Sequence, residues 1–227
     1  MNPNPLRQQV LHIFRIALVL WAISAAAVAE EKEPPLLTPP PREIARTDDS
    51  LDLGRGAAIR ADDPAARQVG RVLAGELQRL HGISTIFAER GETSDRPCVV
   101  LELLPTKPER AASPAAMSWA KWPPPRNREE GYLLEITSAG ATIAAETPRG
   151  LIYGCQTLLQ LVPTATVGGK RLPGARITDY PQLAFRGVHV CVFPTTELAE
   201  VRQAIMFAAR YKLNAVVLEF WSSLKCK

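Results

Sequence analysis

Residues 131–160, GYLLEITSAGATIAAETPRGLIYGCQTLLQ, decide the fold. Gly131 to Thr137 and Ala141 to Glu146 are two short runs joined by Ser138, Ala139 and Gly140, and this spacing predicts a β-hairpin. Thr147 then offers a side-chain oxygen to a helix N-terminus. Pro148 suits the first helical position, where its missing N–H would have no intrahelical partner anyway. Leu151, Gly154, Leu158 and Leu161 recur as one helical stripe, which Pro163 ends. Gly150 and Gly154, four apart, leave a flat patch where this helix can approach the sheet closely.

Upstream the same punctuation recurs. Ala57 to Arg60 reads as a short strand. Asp62 or Asp63 can cap a helix with Pro64 in its first turn. Ala66, Val69, Leu73, Leu77 and Leu80 carry its helical period, and His81-Gly82 closes it. Ile83 to Ala88 and Cys98 to Leu104 read as strands. The Pro-rich stretch 105–128, with Trp119 and Trp122, reads as a long surface loop, a variable excursion rather than a lid. Helix, strands, hairpin and helix predict an α+β domain over residues 51–178, a sheet with helices on one face.

Downstream of Ile177-Thr-Asp-Tyr-Pro181 the period changes. Phe185 to Val192 reads as a strand, Glu197 to Tyr211 as an amphipathic helix using Val201, Ile205, Ala208 and Ala209, and Leu213 to Phe220 as a second apolar strand. The pattern predicts a βαβ unit with parallel strands covered on both faces, opening a second domain over 179–227.

At the other end, Arg7 and Arg15 flank the uncharged run Ile16 to Val28. Ala27-Val28-Ala29 supplies small residues before Glu30 and Glu31. Residues 1–29 are therefore expected to be a signal peptide, and the mature protein secreted or periplasmic. The run falls short of the ~20 apolar residues that span a bilayer, so no stable membrane span is expected after cleavage. Residues 30–50, with PPLLTPPP at 34–41, read as a Pro-rich linker.

Of the 227 residues 46% are apolar and 22% charged, as in ordinary globular proteins. The formal net charge is +4, and Arg7 and Arg15 contribute two of those units. The remaining Lys and Arg are scattered, which gives no footprint for nucleic acid. Cys98, Cys155, Cys191 and Cys226 lack metal-site spacing, so free thiols and no metal are expected.

Glu130 to Thr137 together with Ala144 to Gln160 resembles the non-catalytic N-terminal domain of glycoside hydrolase family 20, the β-N-acetylhexosaminidases. Ile177-Thr-Asp-Tyr-Pro-Gln-Leu-Ala-Phe-Arg-Gly187 resembles the lead-in to that family's (β/α)₈ TIM barrel, and Tyr211-Lys-Leu-Asn214 the end of its first barrel helix. The resemblance spans roughly residues 55–220. It implies an α+β domain followed by an incomplete (β/α)₈ barrel start. It also implies hydrolysis of terminal N-acetylhexosamine from glycans, with the substrate's own acetamido group as nucleophile, and no cofactor. The carbohydrate is then the implied partner. In the family an adjacent Asp-Glu pair orients the acetamido and supplies the general acid. That pair is not found here, so no catalytic residue is assigned.

The resemblance aligns Arg186 with a first-strand arginine that grips sugar hydroxyls; the competing reading is a structural arginine paired with a carboxylate at the barrel base. Glu219 shares a strand face with Val217 and Trp221 near the strand's C-terminal end, where such barrels bind substrate; the competing reading is an ion pair with a neighbour such as Lys225. His189 lies mid-strand and is expected to be a core residue. The family's Leu-Asp-x-x-Arg-His run is replaced around Val190, Cys191, Pro194 and Thr195, and the histidines that end its second strand are replaced by Val217, Leu218 and Glu219.

Overall fold

In the computed structural model, residues 37–104, 125–162 and 170–221 are described. The expected signal peptide, Trp119, Trp122, Pro163 and Cys226 lie outside them. The chain runs β1 (Glu43–Asp52), β2 (Ala57–Arg60), α1 (Pro64–His81), β3 (Thr85–Phe87), β4 (Cys98–Leu103), a 3₁₀ helix (Pro125–Glu130), β5 (Tyr132–Thr137), β6 (Gly140–Ala145), α2 (Pro148–Leu161), β7 (Arg171–Asp179), β8 (Gly187–Val192), α3 (Leu198–Arg210) and β9 (Ala215–Phe220).

Strands β1 to β7 form one mixed sheet in the order β1-β7-β5-β6-β4-β2-β3. The pairs from β1 to β6 are antiparallel, and those from β6 to β3 are parallel. Alternate residues such as Ile59, Leu134 and Ile143 face one core, which Leu73 and Leu77 of α1 and Leu151 and Leu158 of α2 complete. Both helices therefore pack on one sheet face. Their ends follow local chemistry. Asp63 accepts from the N–H groups of Ala65 (2.7 Å) and Ala66 (3.1 Å), Gly82 closes α1 in the left-handed region, and Thr147 accepts from Gly150 N–H at 3.2 Å.

The structure corrects two expectations and adds a strand that the sequence reading lacks. Residues 43–50, read as linker, belong to β1. This edge strand buries only Leu51 and is charged along its length, so it shows no apolar alternation. Strand β7 has no counterpart in the sequence reading, and it contains Pro173, a residue that central strands disfavour. Pro173 lies opposite Ser50 of β1, beyond the end of the β5–β7 pairing and beside the register shift between Arg46 and Ser50. Finally, β8 and β9 pair in parallel as a separate two-stranded sheet, but they are not covered on both faces. One helix shields one face, and Val217 stays 49% exposed on the other, while Ile205 of α3 is 46% exposed.

The patch left by Gly150 and Gly154 is filled by the sheet: an added Cβ at Gly154 would strike Ile143 and lie 3.1 Å from the Tyr132 ring. At Gly75 of α1 a Cβ would meet nothing within 4 Å. Gly154→Ala is therefore expected to cost about 1–3 kcal/mol through overpacking, while Gly75→Ala gains about 0.5–1 kcal/mol of helix stability. Urea-unfolding midpoints of the two variants should move in opposite directions.

Candidate functional site

Two clusters of polar side chains stand out, one at each end of the β8–β9 pair. The first begins with Tyr132, the first residue of β5, whose ring is buried against α2. Its hydroxyl donates to Asp179 Oδ2 at 2.9 Å, at the end of β7. Having given its one proton, it accepts from Lys212 Nζ at 2.8 Å and pairs with Thr157 Oγ1 at 2.5 Å. Lys212 Nζ also lies 2.8 Å from Asp179 Oδ2, and the two side chains are only 8% and 10% exposed. Burial pushes the lysine ammonium below its ordinary range against the opposing pull of Asp179, and it pushes the Tyr132 hydroxyl well up, with the Asp179 charge adding to the effect. Lys212 follows α3 with φ 58°, in the left-handed region where a helix end favours glycine. Such a backbone costs about 1–3 kcal/mol and persists only where its surroundings fix it.

Arg186 sits beside this cluster, just before β8. Its Nη2 is 2.8 Å from Glu130 Oε2 and donates to Tyr153 Oη at 3.2 Å. Its Nη1 donates to the Leu183 carbonyl (2.6 Å) and its Nε to the Lys212 carbonyl (3.0 Å). Asn214 completes the joint, donating to Glu130 Oε1 and the Ala184 carbonyl while accepting from Arg186 N–H. A cleft of about 340 Å³ opens here, lined by Arg42, Tyr153, Tyr180, Leu183 and Arg186 among others. Arg186 is thus held by a carboxylate just before β8 and also lines this cleft.

The second cluster lies on the open face of β8 and β9. The register pairs Cys191 with Glu219 and His189 with Val217, so His189, Cys191 and Glu219 project from the same face. His189 Nε2 is 2.9 Å from Glu219 Oε2, and Cys191 Sγ is 3.6 Å from that same oxygen. His189, expected in the core, is 53% exposed, because α3 covers the other face. Glu219 pairs with His189; Lys225 lies outside the described residues. Just past the strand ends, Trp221 stacks on Phe193 with centroids 6.5 Å apart. The structure therefore separates the two predicted site residues. Arg186 and Glu219 stand about 16 Å apart along the strand direction, at ~3.3 Å per residue. Cys98, Cys155 and Cys191 are free thiols.

Residues 34–180 match the model of "Glycosyl hydrolase family 20, domain 2". A beta-hexosaminidase of Porphyromonas gingivalis is 25% identical over 187 residues, covering 78% of this chain and 21% of the relative. A beta-N-acetylhexosaminidase of Cellulomonas fimi is 31% identical over 93 residues, 40% of this chain and 18% of the relative. Among solved structures, the N-acetyl-beta-hexosaminidase of Streptomyces plicatus superposes with a TM-score of 0.62 at 28% identity, covering 80% of this chain and 34% of that one. The chain thus spans about a fifth of the length of these curated relatives.

Removing one member of the buried pair strands the other's charge, at a cost of about 3–5 kcal/mol. Lys212→Met and Asp179→Asn should each destabilise the protein, and the double variant should lose clearly less than the sum. Equilibrium denaturation in a double-mutant cycle measures this coupling; simple additivity would contradict it.

Proposed function

Because this chain belongs to glycosyl hydrolase family 20, we propose that it forms the N-terminal portion of an exported β-N-acetylhexosaminidase-like glycosidase, which removes terminal N-acetylhexosamine from glycans. The observation that carries this reading is the order of parts. A domain matched to the family over residues 34–180 is followed directly by a parallel β8–α3–β9 unit, tied to it by Lys212 and Arg186. A parallel pair with a helix on one face is the repeating unit of a (β/α)₈ barrel, so residues 179–227 are read as the start of one. In this reading the α+β domain is a support and the barrel carries the chemistry.

Substrate-assisted hydrolysis needs an acid whose pKa is raised enough to protonate the leaving oxygen. An adjacent Asp-Glu pair does not occur in the 227 residues, so the acid pair belongs to later barrel strands and the chain as given is inactive. Its own contribution to sugar binding is Glu219, with Trp221 beside it, at the end of the strands where barrel enzymes hold substrate. Arg186 serves the joint. Residues 1–29 direct export; Ile16 to Val28 and the Ala27-Val28-Ala29 site support that step. Among the described residues no helix is long and apolar enough to cross a membrane.

A second reading, a non-catalytic carbohydrate-binding or scaffolding protein, draws on Cys191 and Glu219, which replace the residues that the resemblance implies at these strand ends. One assay separates the two. The 227-residue chain should release no chromogenic leaving group from an N-acetylglucosaminide, whereas a protein extended downstream should. Glycan binding without turnover by the extended protein would select the second reading, and turnover by the short chain would defeat the division of labour proposed here.

A further inference from the structure

We propose that His189, Cys191 and Glu219 form a zinc site with three protein ligands and an open fourth position. Among the described residues this is the one group of His, Cys and carboxylate donors gathered closely enough for a single ion, with all donor atoms within 4.8 Å of one another. Tetrahedral zinc, with bonds of ~2.0–2.3 Å, holds its ligand atoms about 3.3–3.7 Å apart. Cys191 Sγ and Glu219 Oε2 already stand 3.6 Å apart. His189 Nε2 and Glu219 Oε2, at 2.9 Å, need to separate by under an ångström. The side chains are at or near the surface, so that shift meets no packed core.

The backbone explains the placement. His189 and Cys191 are two apart on β8 and therefore share a face, and the parallel register sets Glu219 of β9 opposite Cys191. The ligand set suits zinc: one thiolate, one imidazole and one carboxylate supply soft and borderline donors. Thiolate and carboxylate together balance the divalent charge. Without metal, His189 and Glu219 face each other at hydrogen-bond distance and the thiol lies beside the same oxygen; the ion would displace the thiol proton to solvent and bind the unprotonated Nε2 of a neutral imidazole whose proton sits on Nδ1. Three protein ligands with a free position is the arrangement of reactive rather than closed structural zinc. The inference gives Glu219 a metal-binding role in place of the sugar contact proposed above, and it is tested independently of the glycosidase reading, since metal uptake is measured on this chain without any sugar.

The test uses the reduced full-length chain, freed of metal with a chelator and then titrated with zinc or cobalt. Binding of a single ion is expected, with a thiolate-to-cobalt charge-transfer absorption in the near ultraviolet. Zinc should also slow alkylation of Cys191, followed by peptide mass spectrometry, by at least about tenfold, and leave Cys155 unaffected. Cys191→Ser and His189→Ala should each weaken zinc binding by more than the roughly 10–100-fold that loss of an outer-shell partner costs. Absence of the charge-transfer band together with unprotected Cys191 overturns the site. So does zinc affinity unchanged in Cys191→Ser. The alkylation readout in the unmutated chain decides the matter even where a variant fails to fold.

Discussion

A lysine ammonium held out of water by an aspartate and a tyrosine ties the last βαβ unit to the sheet domain. Lys212 reaches from the end of α3 to Asp179 at the end of β7 and to Tyr132 at the start of β5. Taking both charges out of water costs several kcal/mol per ion unless every remaining lone pair and proton is matched. Here the carboxylate is matched on both oxygens and the ammonium on two of its three N–H groups. Asp179 Oδ2 accepts from Lys212 and Tyr132, and its other oxygen accepts from the N–H groups of Tyr180 (2.9 Å) and Arg42 (3.3 Å). The same ammonium holds Lys212 in a left-handed backbone that a lysine would otherwise avoid. Arg186 and Glu130 form a second lock a few residues away, and the Gln160 side chain of α2, which donates to the Arg210 carbonyl at 3.1 Å, a third.

The parts of the fold legible in the sequence are those fixed by neighbours. Asp63, Pro64 and Gly82 frame α1 through bonds spanning a few positions, and Thr147 with Pro148 starts α2 in the same way. The hairpin β5–β6 was legible for the same reason, since Ser138 to Gly140 dictate its turn. Strands β1 and β7 were hidden because their evidence is non-local. β1 is a charged edge that becomes a strand only by pairing with residues more than a hundred positions later, as Glu43 does with Thr178. β7 tolerates Pro173 only because β5 has ended before reaching it.

The site divides along the same line. Glu219 could be placed near a strand end by parity alone, and the resemblance drew attention to Arg186. Their partners could not be read in advance. Lys212 and Tyr132 are 80 positions apart and Lys212 and Asp179 are 33 apart, and nothing in Tyr211-Lys-Leu-Asn214 signals a buried ammonium. The one local hint was a lysine directly after a helix, where glycine is the usual residue. The apolar strand around His189 suggests a core residue; period-2 geometry instead places it opposite the helix-covered face. Sequence spacing could not bring out the second cluster either, because Cys191 and Glu219 meet across strands 28 positions apart.

A parallel strand pair has two chemically different ends, and this chain assigns them opposite tasks. At the N-terminal end of β8, Arg186 commits its guanidinium to Glu130, Tyr153 and two carbonyls, which serves rigidity. Toward the C-terminal end, His189, Cys191 and Glu219 share a single hydrogen-bonding oxygen and keep open valences toward solvent, with the Phe193–Trp221 stack next to them. Both strands are anchored through the chain just outside them, by Arg186 before β8 and Lys212 before β9, so the registers that bring Cys191 and Glu219 side by side start from fixed points. Without those anchors a two-stranded sheet with one helix is marginal in water, and the three donors would have no common oxygen to share.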